Sequence, residues 1–591
     1  MQRNAHVAIH GRLDRTPNRT VMAAWLYRAT DGGLAQRIAS SLGISEPLAH
    51  VLARMFTDES QAEQHLRPQL SHVSDPFAVG NLRVAAERIL LAVSQKQRIA
   101  LLGDYDVDGV SSTAMLVHLL RRLGAEPAAF VPRRLEEGYG LTMAALERVV
   151  KEAQPQLFIA LDCGTNSISE IEFLKSNGVE VIVVDHHVAK SAPADCILVN
   201  PRVNDDAQAP WQTLCTAGLV FKLIHGILKV LRLAGDPRGT HIAVKEYLDL
   251  AALGTIADLV PLLTENRIIA AHGLRALSEA KRPGVRALIA VSGMEPGATL
   301  SSVDVSYRIG PRINASGRLA DASLPLNLLL AETVEDSERD AELLDQINRE
   351  RQEIDKRVTE DATEQAKSMG EQEGYVLFGD WHPGVVGIAA GKICRAMDRP
   401  VIVLGKEGDI AKGSGRSIPG VNLVEALNSC ADILKTYGGH PMAVGISLAA
   451  SDVEQFRAKF TAAVALQKKS TNLVTDSRDL DITHWLKLNE INEGLLDDME
   501  LLQPYGESNS EPVFGVRGFV FDKSPTQFGE GNIRFQISLS AQRRLSFIAW
   551  RMSSRIPEVG KTVDLAVKLA WNRWQGRKSI QVEIVDWRYS A

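Results

Sequence analysis

Cysteine is scarce in this chain: five residues in 591, at positions 163, 196, 215, 394 and 430. They are scattered, odd in number and form no CxxC pair, so neither a disulfide framework nor a zinc knuckle is indicated. Long apolar runs are missing too. None approaches the ~20 residues that span a bilayer. Arg3, Arg12 and Arg15 near the N-terminus are not followed by the apolar stretch of a secretory signal. A cytoplasmic location and no membrane partner are therefore expected. Strong charge of one sign is also absent, since the formal net charge is −6. The balance is uneven, however. Residues 501–591 hold 13 Lys+Arg against 8 Asp+Glu, which leaves the rest of the chain clearly acidic. A basic tail on an acidic body allows a local electrostatic footprint. Hydrophobic residues at 45% and charged residues at 23% are ordinary for a globular protein. The length predicts three or four domains.

What the chain does have is an acidic stretch around which the rest is organised: Gly103-Asp104-Tyr105-Asp106-Val107-Asp108-Gly109. An apolar run, Ile99-Ala100-Leu101-Leu102, precedes it and reads as a buried strand; a helix follows. If the backbone stays extended, Asp104, Asp106 and Asp108 point the same way. Three carboxylates held together repel, so one must take a proton or a cation must neutralise them. Oxygen ligands suit Mg2+ and Mn2+. The plainer alternative is a solvated acidic turn.

From Arg98 to about 200, strands and helices alternate, which implies a parallel sheet with helices on both faces. Sites in such sheets form beyond the carboxyl ends of the strands. Leu157-Phe158-Ile159-Ala160-Leu161 is followed by Asp162, and Val179-Glu180-Val181-Ile182-Val183-Val184 by Asp185-His186-His187. Three strands thus end in metal-ligand residue types that should meet at one edge. The nearly apolar segment Tyr247–Ala257 ends in Asp258, either a helix-end residue or another ligand. Residues 307–318, Tyr-Arg-Ile-Gly-Pro-Arg-Ile-Asn-Ala-Ser-Gly-Arg, combine three arginines with turn formers. Leu343, Ile347, Ile354 and Val358 sit at helical spacing in a charged segment, which predicts a long, mostly solvated connecting helix.

A second α/β unit follows, with two glycine-bearing stretches, Gly413-Ser414-Gly415-Arg416-Ser417 and Gly438-Gly439-His440-Pro441. As loops they could let backbone N–H groups approach a phosphate; as turns they would do nothing more. After about 470, five alternating segments suggest a small barrel of the OB type. There Trp550, Trp571 and Trp574 could stack bases while Arg534, Arg543, Arg544 and Arg577 meet phosphates, or the tryptophans could be core and the arginines ordinary surface.

Taken together, these motifs resemble the DHH phosphoesterase superfamily, named for the triplet found here at Asp185-His186-His187. The unit carrying Gly438-Gly439-His440 is similar to the associated DHHA1 domain. The Gly-Pro-Arg-Ile-Asn-Ala-Ser-Gly-Arg stretch and the C-terminal barrel resemble one branch, the RecJ single-strand-specific exonucleases. The resemblance covers about 80–591. It implies an α/β fold in which a parallel-sheet DHH domain is joined by a long helix to a smaller α/β DHHA1 domain, followed by an all-β OB-like barrel. The expected division is 1–45 as a partly disordered extension, 46–330 as the DHH catalytic domain, 331–372 as the connecting helix, 373–468 as DHHA1 and 469–591 as the OB domain. The resemblance further implies two divalent cations, Mn2+ or Mg2+. Asp106 would hold one, supported by Asp104; Asp108, His186 and Asp258 would hold the other; Asp162 would bridge both. His187 would contact the scissile phosphate or assist the leaving group. Arg312, Ser414, Arg416 and His440 match phosphate- and nucleotide-binding positions. The activity implied is 5′→3′ hydrolysis of single-stranded DNA to 5′-mononucleotides in recombination and repair, with a single-strand-binding protein and a helicase as partners. The alternatives are a DHH phosphodiesterase acting on short oligoribonucleotides or cyclic dinucleotides, and a non-catalytic nucleic-acid scaffold.

Overall fold

The computed structural model describes residues 24–133, 137–138, 140–470, 479–539, 544–574 and 577–590. The chain opens with β1 (Trp25–Tyr27), α1 (Gly32–Leu42), α2 (Glu46–Met55) and α3 (Glu59–Leu66). The first parallel sheet is built from α4 (Leu82–Ser94), β2 (Ile99–Gly103), α5 (Val107–Arg122), β3 (Ala128–Phe130), α6 (Met143–Ala153), β4 (Leu157–Leu161), α7 (Ile168–Ser176), β5 (Glu180–Val184) and β6 (Ile197–Val199). Its order is β3-β2-β4-β5-β6, with every pair parallel. β2 and β4 are buried along their whole length because helices cover both faces. A helical layer follows: α8 (Thr216–Leu233), α9 (Leu248–Ala257), α10 (Thr264–Glu279) and α11 (Gly310–Leu319). The stretch expected to be rich in turns is therefore helical. Gly310 and Pro311 open α11, and Gly317 lies inside it because a Cβ there would meet the Tyr105 ring at 2.2 Å.

The connecting helix, α12 (Val334–Ser368), spans 35 residues. It is not a solvated rod. Asp340, Asp345, Asn348, Asp355, Thr359 and Thr363 are buried along it, and Leu343, expected on the packed face, is exposed. The packed stripe runs through Ala341, Leu344, Asn348, Asp355, Ala362 and Ala366, so the seam with the neighbouring helices is largely polar.

The second unit holds β7 (Tyr375–Gly379), α13 (Val386–Met397), β8 (Val401–Glu407), β9 (Ile410–Arg416), β10 (Leu434–His440) and β11 (Ala443–Ala449), in the order β10-β11-β9-β8-β7. Both glycine stretches are thus strands and not loops. β9 is paired on both edges, so its backbone N–H groups lie in the ladder and are not offered to a phosphate. Gly413 is there for space: a Cβ would lie 2.0 Å from the Val403 carbonyl oxygen.

The C-terminal part contains β12 (Leu480–Ile482), β13 (His484–Leu486), α14 (Glu493–Glu500), β14 (Phe514–Val520), β15 (Thr526–Phe528), β16 (Asn532–Ser538), β17 (Arg544–Ala549), β18 (Thr562–Trp574) and β19 (Arg577–Tyr589). The sheet order is β13-β14-β18-β19-β17-β16-β15. Its core includes residues from the far end of the chain. Leu34, Ile38, Leu48, Leu52 and Leu66 pack with Leu486, Leu495, Phe514, Phe547 and Val582. β1 also pairs in parallel with β12. The described part of the expected extension, and residues 46–66 of the expected catalytic domain, therefore share a core with the barrel. Nothing in their own periodicity names a partner about 450 residues away. Among the described residues, no helix is long and apolar enough to cross a membrane.

Candidate metal centre and cleft

Three adjacent strands deliver acids to one edge. The β-ladder runs one residue past each strand: Asp104 N–H donates to Leu161 O at 3.1 Å, Asp162 N–H to Val184 O at 3.0 Å and Asp185 N–H to Val199 O at 3.1 Å. The acidic motif does not remain extended, although its alternation predicts that it should. Asp104 ends the strand, Asp106 caps α5 by accepting from Asp108 N–H and Gly109 N–H, and Asp108 lies in the first helical turn. They converge because the chain turns. Gly109 permits that turn, since a Cβ would meet Asp104 O at 2.3 Å. Asp162 adopts a left-handed backbone with φ of 63°, a strained conformation of the kind concentrated at functional sites.

The second helix layer closes the site. Asp108 Oδ2 and Oδ1 accept from Thr216 N–H and Ala217 N–H at 2.8 and 2.7 Å, so the positive end of α8 holds this carboxylate. Thr216 Oγ1 donates to Asp162 Oδ1 at 3.0 Å. Asp258 is the C-cap of α9. His186 Nε2 lies 3.4 Å from Asp162 Oδ1, 3.5 Å from Asp258 Oδ2 and 3.9 Å from Asp108 Oδ2. Donor atoms fall into three overlapping groups: Asp104, Asp106 and Asp162; Asp108, His186 and Asp258; Asp162, His186 and His187.

Without a cation, burial is the leading force on these acids. It raises Asp108 to about 6, reinforced by Asp106. It raises Asp258 to about 8, reinforced by Asp108 and Asp106, and lifts Asp162 well above the carboxylate range, with Asp108 adding to the effect. Burial draws His186 down to about 3, which keeps the imidazole neutral with a lone pair available. His187 behaves oppositely. Its Nδ1 bonds Asp185 Oδ1 at 2.7 Å, and this bond raises it to about 9. Burial pushes Asp185 up, but the bonds from His187 and Thr165 bring it below the usual range. Buried carboxylates that repel one another, beside a neutral imidazole, fit a hard divalent cation such as Mn2+ or Mg2+.

Asp185, Thr165, Thr216 and Ala217 escape sequence reasoning as working residues. Asp185 lies within the triplet, but its role as the anchor of His187 depends on a turn in which it also accepts from the N–H groups of Thr165 and His186 at 3.0 and 2.8 Å.

The expected phosphate-binding residues divide. Ser414 and Arg416 lie together on β9 beside the N-terminal end of α13: a Cβ on Gly387 would be 3.2 Å from Ser414 Oγ and 3.6 Å from Arg416 Nη2. His440 is exposed at the end of β10, opposite Ala443. Arg312 turns away, bonding Asp345 Oδ1 at 2.7 Å and the carbonyls of Arg308 and Val291. Arg318 takes the place expected of it. Six residues on, it points to a different face of α11 (roughly 240° around), and its Nη1 donates to Gly384 O at 3.0 Å. Burial, then Arg318, lower the pKa of Arg416. A line of contacts links the two halves: Tyr105 packs on Gly317, Arg318 reaches Gly384, and Gly387 borders Ser414 and Arg416.

On the barrel, Arg534 and Arg544 are exposed, with the Arg534 guanidinium 5.5 Å from the Phe528 ring centre. Trp550 packs edge-on against Phe528. Lys578 Nζ sits 3.7 Å over the Trp571 ring, which also packs on the barrel core, so that ring is not an open stacking platform. Arg543 lies outside the described residues, as do the side chains of Trp574 and Arg577.

The DHH family N-terminal domain matches residues 98–255, the DHHA1 domain 372–466 and the RecJ OB domain 482–586. The chain is 33% identical over 576 residues to the single-stranded-DNA-specific exonuclease RecJ of Bacillus subtilis (strain 168), covering 95% of this chain and 70% of that one. It is 31% identical to the protein of the same description from Dickeya dadantii (strain 3937), covering 93% and 98%. The crystal structure of RecJ in complex with Mn2+ from Thermus thermophilus superposes with a TM-score of 0.81 at 30% identity, over 96% of this chain and 80% of that one. The corresponding Mg2+ complex gives 0.74 at 28%, over 96% and 79%.

Proposed function

Because the chain belongs to the RecJ family of single-stranded-DNA-specific exonucleases, we propose that it degrades single-stranded DNA from the 5′ end, releasing 5′-mononucleotides at the cluster of Asp104, Asp106, Asp108, Asp162, His186, His187 and Asp258. The enzyme is a metal-dependent hydrolase of single-stranded DNA. The observation that supports the location of its chemistry is the overlap of the donor groups, with Asp162 and His186 each common to two of them.

In this reading Asp104, Asp106 and Asp162 hold one divalent cation, and Asp108, Asp162, His186 and Asp258 hold a second, either Mn2+ or Mg2+. The cations would supply charge neutralisation at the phosphodiester and a nucleophile from water near neutral pH. The protein's own groups do the rest. Thr216 and the α8 N-terminus fix Asp162 and Asp108. Asp185 fixes Nδ1 of His187, which leaves Nε2 as the proton-bearing atom for the scissile phosphate or the leaving oxygen. Ser414, Arg416 and Arg318 form the anionic end of the cleft, where guanidinium forks suit a terminal 5′-phosphate. That anchor sets polarity by placing the first internucleotide bond over the acids. Exposed Arg534 and Arg544 on the barrel would follow the strand leading away. Work in recombination and repair beside a single-strand-binding protein and a helicase belongs to the same proposal.

Digestion of single strands labelled at the 5′ or 3′ end, with Mn2+ or Mg2+ and a blunt duplex as control, tests it. Immediate release of a 5′-labelled mononucleotide, with stepwise shortening of the 3′-labelled strand, is expected. The opposite pattern overturns the polarity.

A further inference from the structure

Arg351 lies on α12 between two contacts that fix its surroundings. Asp345 holds Arg312 of α11 at 2.7 Å, and Asp355 holds Lys392 of α13 at 2.5 Å. Positions 345, 348, 351 and 355 follow the three- and four-residue spacing of one helical face. Arg351 therefore sits in the seam where α11 and α13 both pack on α12.

In that seam its guanidinium is underbonded. Nη2 donates to Asn348 Oδ1 at 3.0 Å, while Nε is buried with no hydrogen-bond partner. Arg351 makes no ion pair among the described residues. Asp355, one turn on, is engaged by Lys392 Nζ and Thr359 Oγ1. Burial leads in lowering the Arg351 pKa against the pull of Asp355, and Arg318 and Arg312 add to it. A buried donor without a partner, in a group pressed by like charges, is costly unless an anion completes it. The same seam holds the N-terminal end of α13, with Ser414 and Arg416 beside it.

We propose that Arg351 is a specificity-determining residue that binds the terminal 5′-phosphate of a DNA strand as a third guanidinium beside Arg416 and Arg318. This rests on the reading that the 5′ terminus occupies this end of the cleft. The charge of the ligand explains the need for a third cation. A terminal phosphate monoester carries about −1.5 to −2 at neutral pH, whereas an internal diester carries a single charge. Two arginines bind either group; a third favours the terminus.

The test uses the full chain and one oligodeoxynucleotide bearing either a 5′-phosphoryl or a 5′-hydroxyl end. Affinities are compared in EDTA and kcat/KM values with Mn2+. Arg351→Met keeps the aliphatic stem, so the melting temperature should hold while the phosphoryl-over-hydroxyl ratio falls about tenfold. An unchanged ratio overturns the assignment. If the methionine variant does not fold, Arg351→Lys decides the matter. A point charge without the fork should lose several-fold of the ratio, and full retention overturns the proposal. Arg416→Ala separates the two levels. If it keeps the full preference, the terminus binds elsewhere and both statements fall. If it loses the preference while the Arg351 variant keeps it, only the role of Arg351 falls.

Discussion

Asp162 concentrates the chemistry of the site in one side chain. It follows β4 with a left-handed backbone, accepts from Thr216 Oγ1 and belongs to two donor groups. Asp162→Asn should lower kcat/KM on end-labelled single strands by a factor on the order of 10³, as removal of a ligand shared by two cations would. The fold should survive. In metal-free protein the melting temperature should hold or rise, because the substitution relieves repulsion among buried carboxylates. Activity close to that of the parent at saturating Mn2+ would sink the bridging role. His65 offers an independent check on burial, far from the acids. It packs at the junction with the barrel, 3.2 Å from Asn509 Oδ1, and its pKa is drawn from 6.5 to about 3 by burial and then by Arg267. Below pH 6.5 the unfolded chain takes up a proton that the folded chain refuses, so this stability is lost as pH falls toward about 3. Between pH 7 and pH 5.5 the parent should lose about 1 kcal/mol more than His65→Gln in denaturant titrations. Parallel pH profiles would show that the histidine titrates normally.

At the scale of elements, glycine is where sequence reading and structure part. The runs at 413–417 and 438–441 look like phosphate loops, because loops and close-packed strands demand glycine alike. The structure separates the two demands. Gly413 on β9 has the Val403 carbonyl 2.0 Å from a would-be Cβ, while nothing lies within 4 Å of one on Gly438. Gly413→Ala should therefore cost about 2 kcal/mol or more, and Gly438→Ala should stay within about 0.5 kcal/mol, by chemical denaturation. Equal effects would mean that β9 is not packed as described. The long helix teaches a related lesson. Its apolar spacing revealed a helix at 334–368, but the buried face carries Asp345, Asn348 and Asp355, polar residues that periodicity assigns to solvent. They are inside because Arg312 and Lys392 come from other elements to meet them.

For the whole molecule, the two ends of the chain form one body. Besides the shared core, Arg267 of α10, 1% exposed, donates to the carbonyls of His65, Leu501, Leu502 and Gln503, and Leu262 N–H donates to Glu507 O at 2.8 Å. The barrel is thus bound to the segment that follows Asp258. Removing residues 469–591 alone should expose Leu34, Ile38, Leu48 and Leu52 and yield an aggregating protein that binds hydrophobic dyes. Removing 1–66 as well should restore a cooperative thermal transition. If the single truncation melts as sharply as the double one, the shared core is not a cooperative unit.

The sequence by itself determined the strands, the acids at their ends and the order of the units, because each is local. An apolar run ends, and the next residue carries the ligand. It also contained both arginines of the 312–318 motif. Only the tertiary structure decided which of them faces the cleft, because that depends on which face of α11 meets α12 and which meets the second unit. It alone decided that residues 34–66 complete the barrel, since a helix's apolar stripe states that it must be covered and never by what. It likewise gave Asp108 its partners, because the N–H groups at the start of α8 are common to every helix and become a carboxylate's cradle only once packing brings that end within about 3 Å.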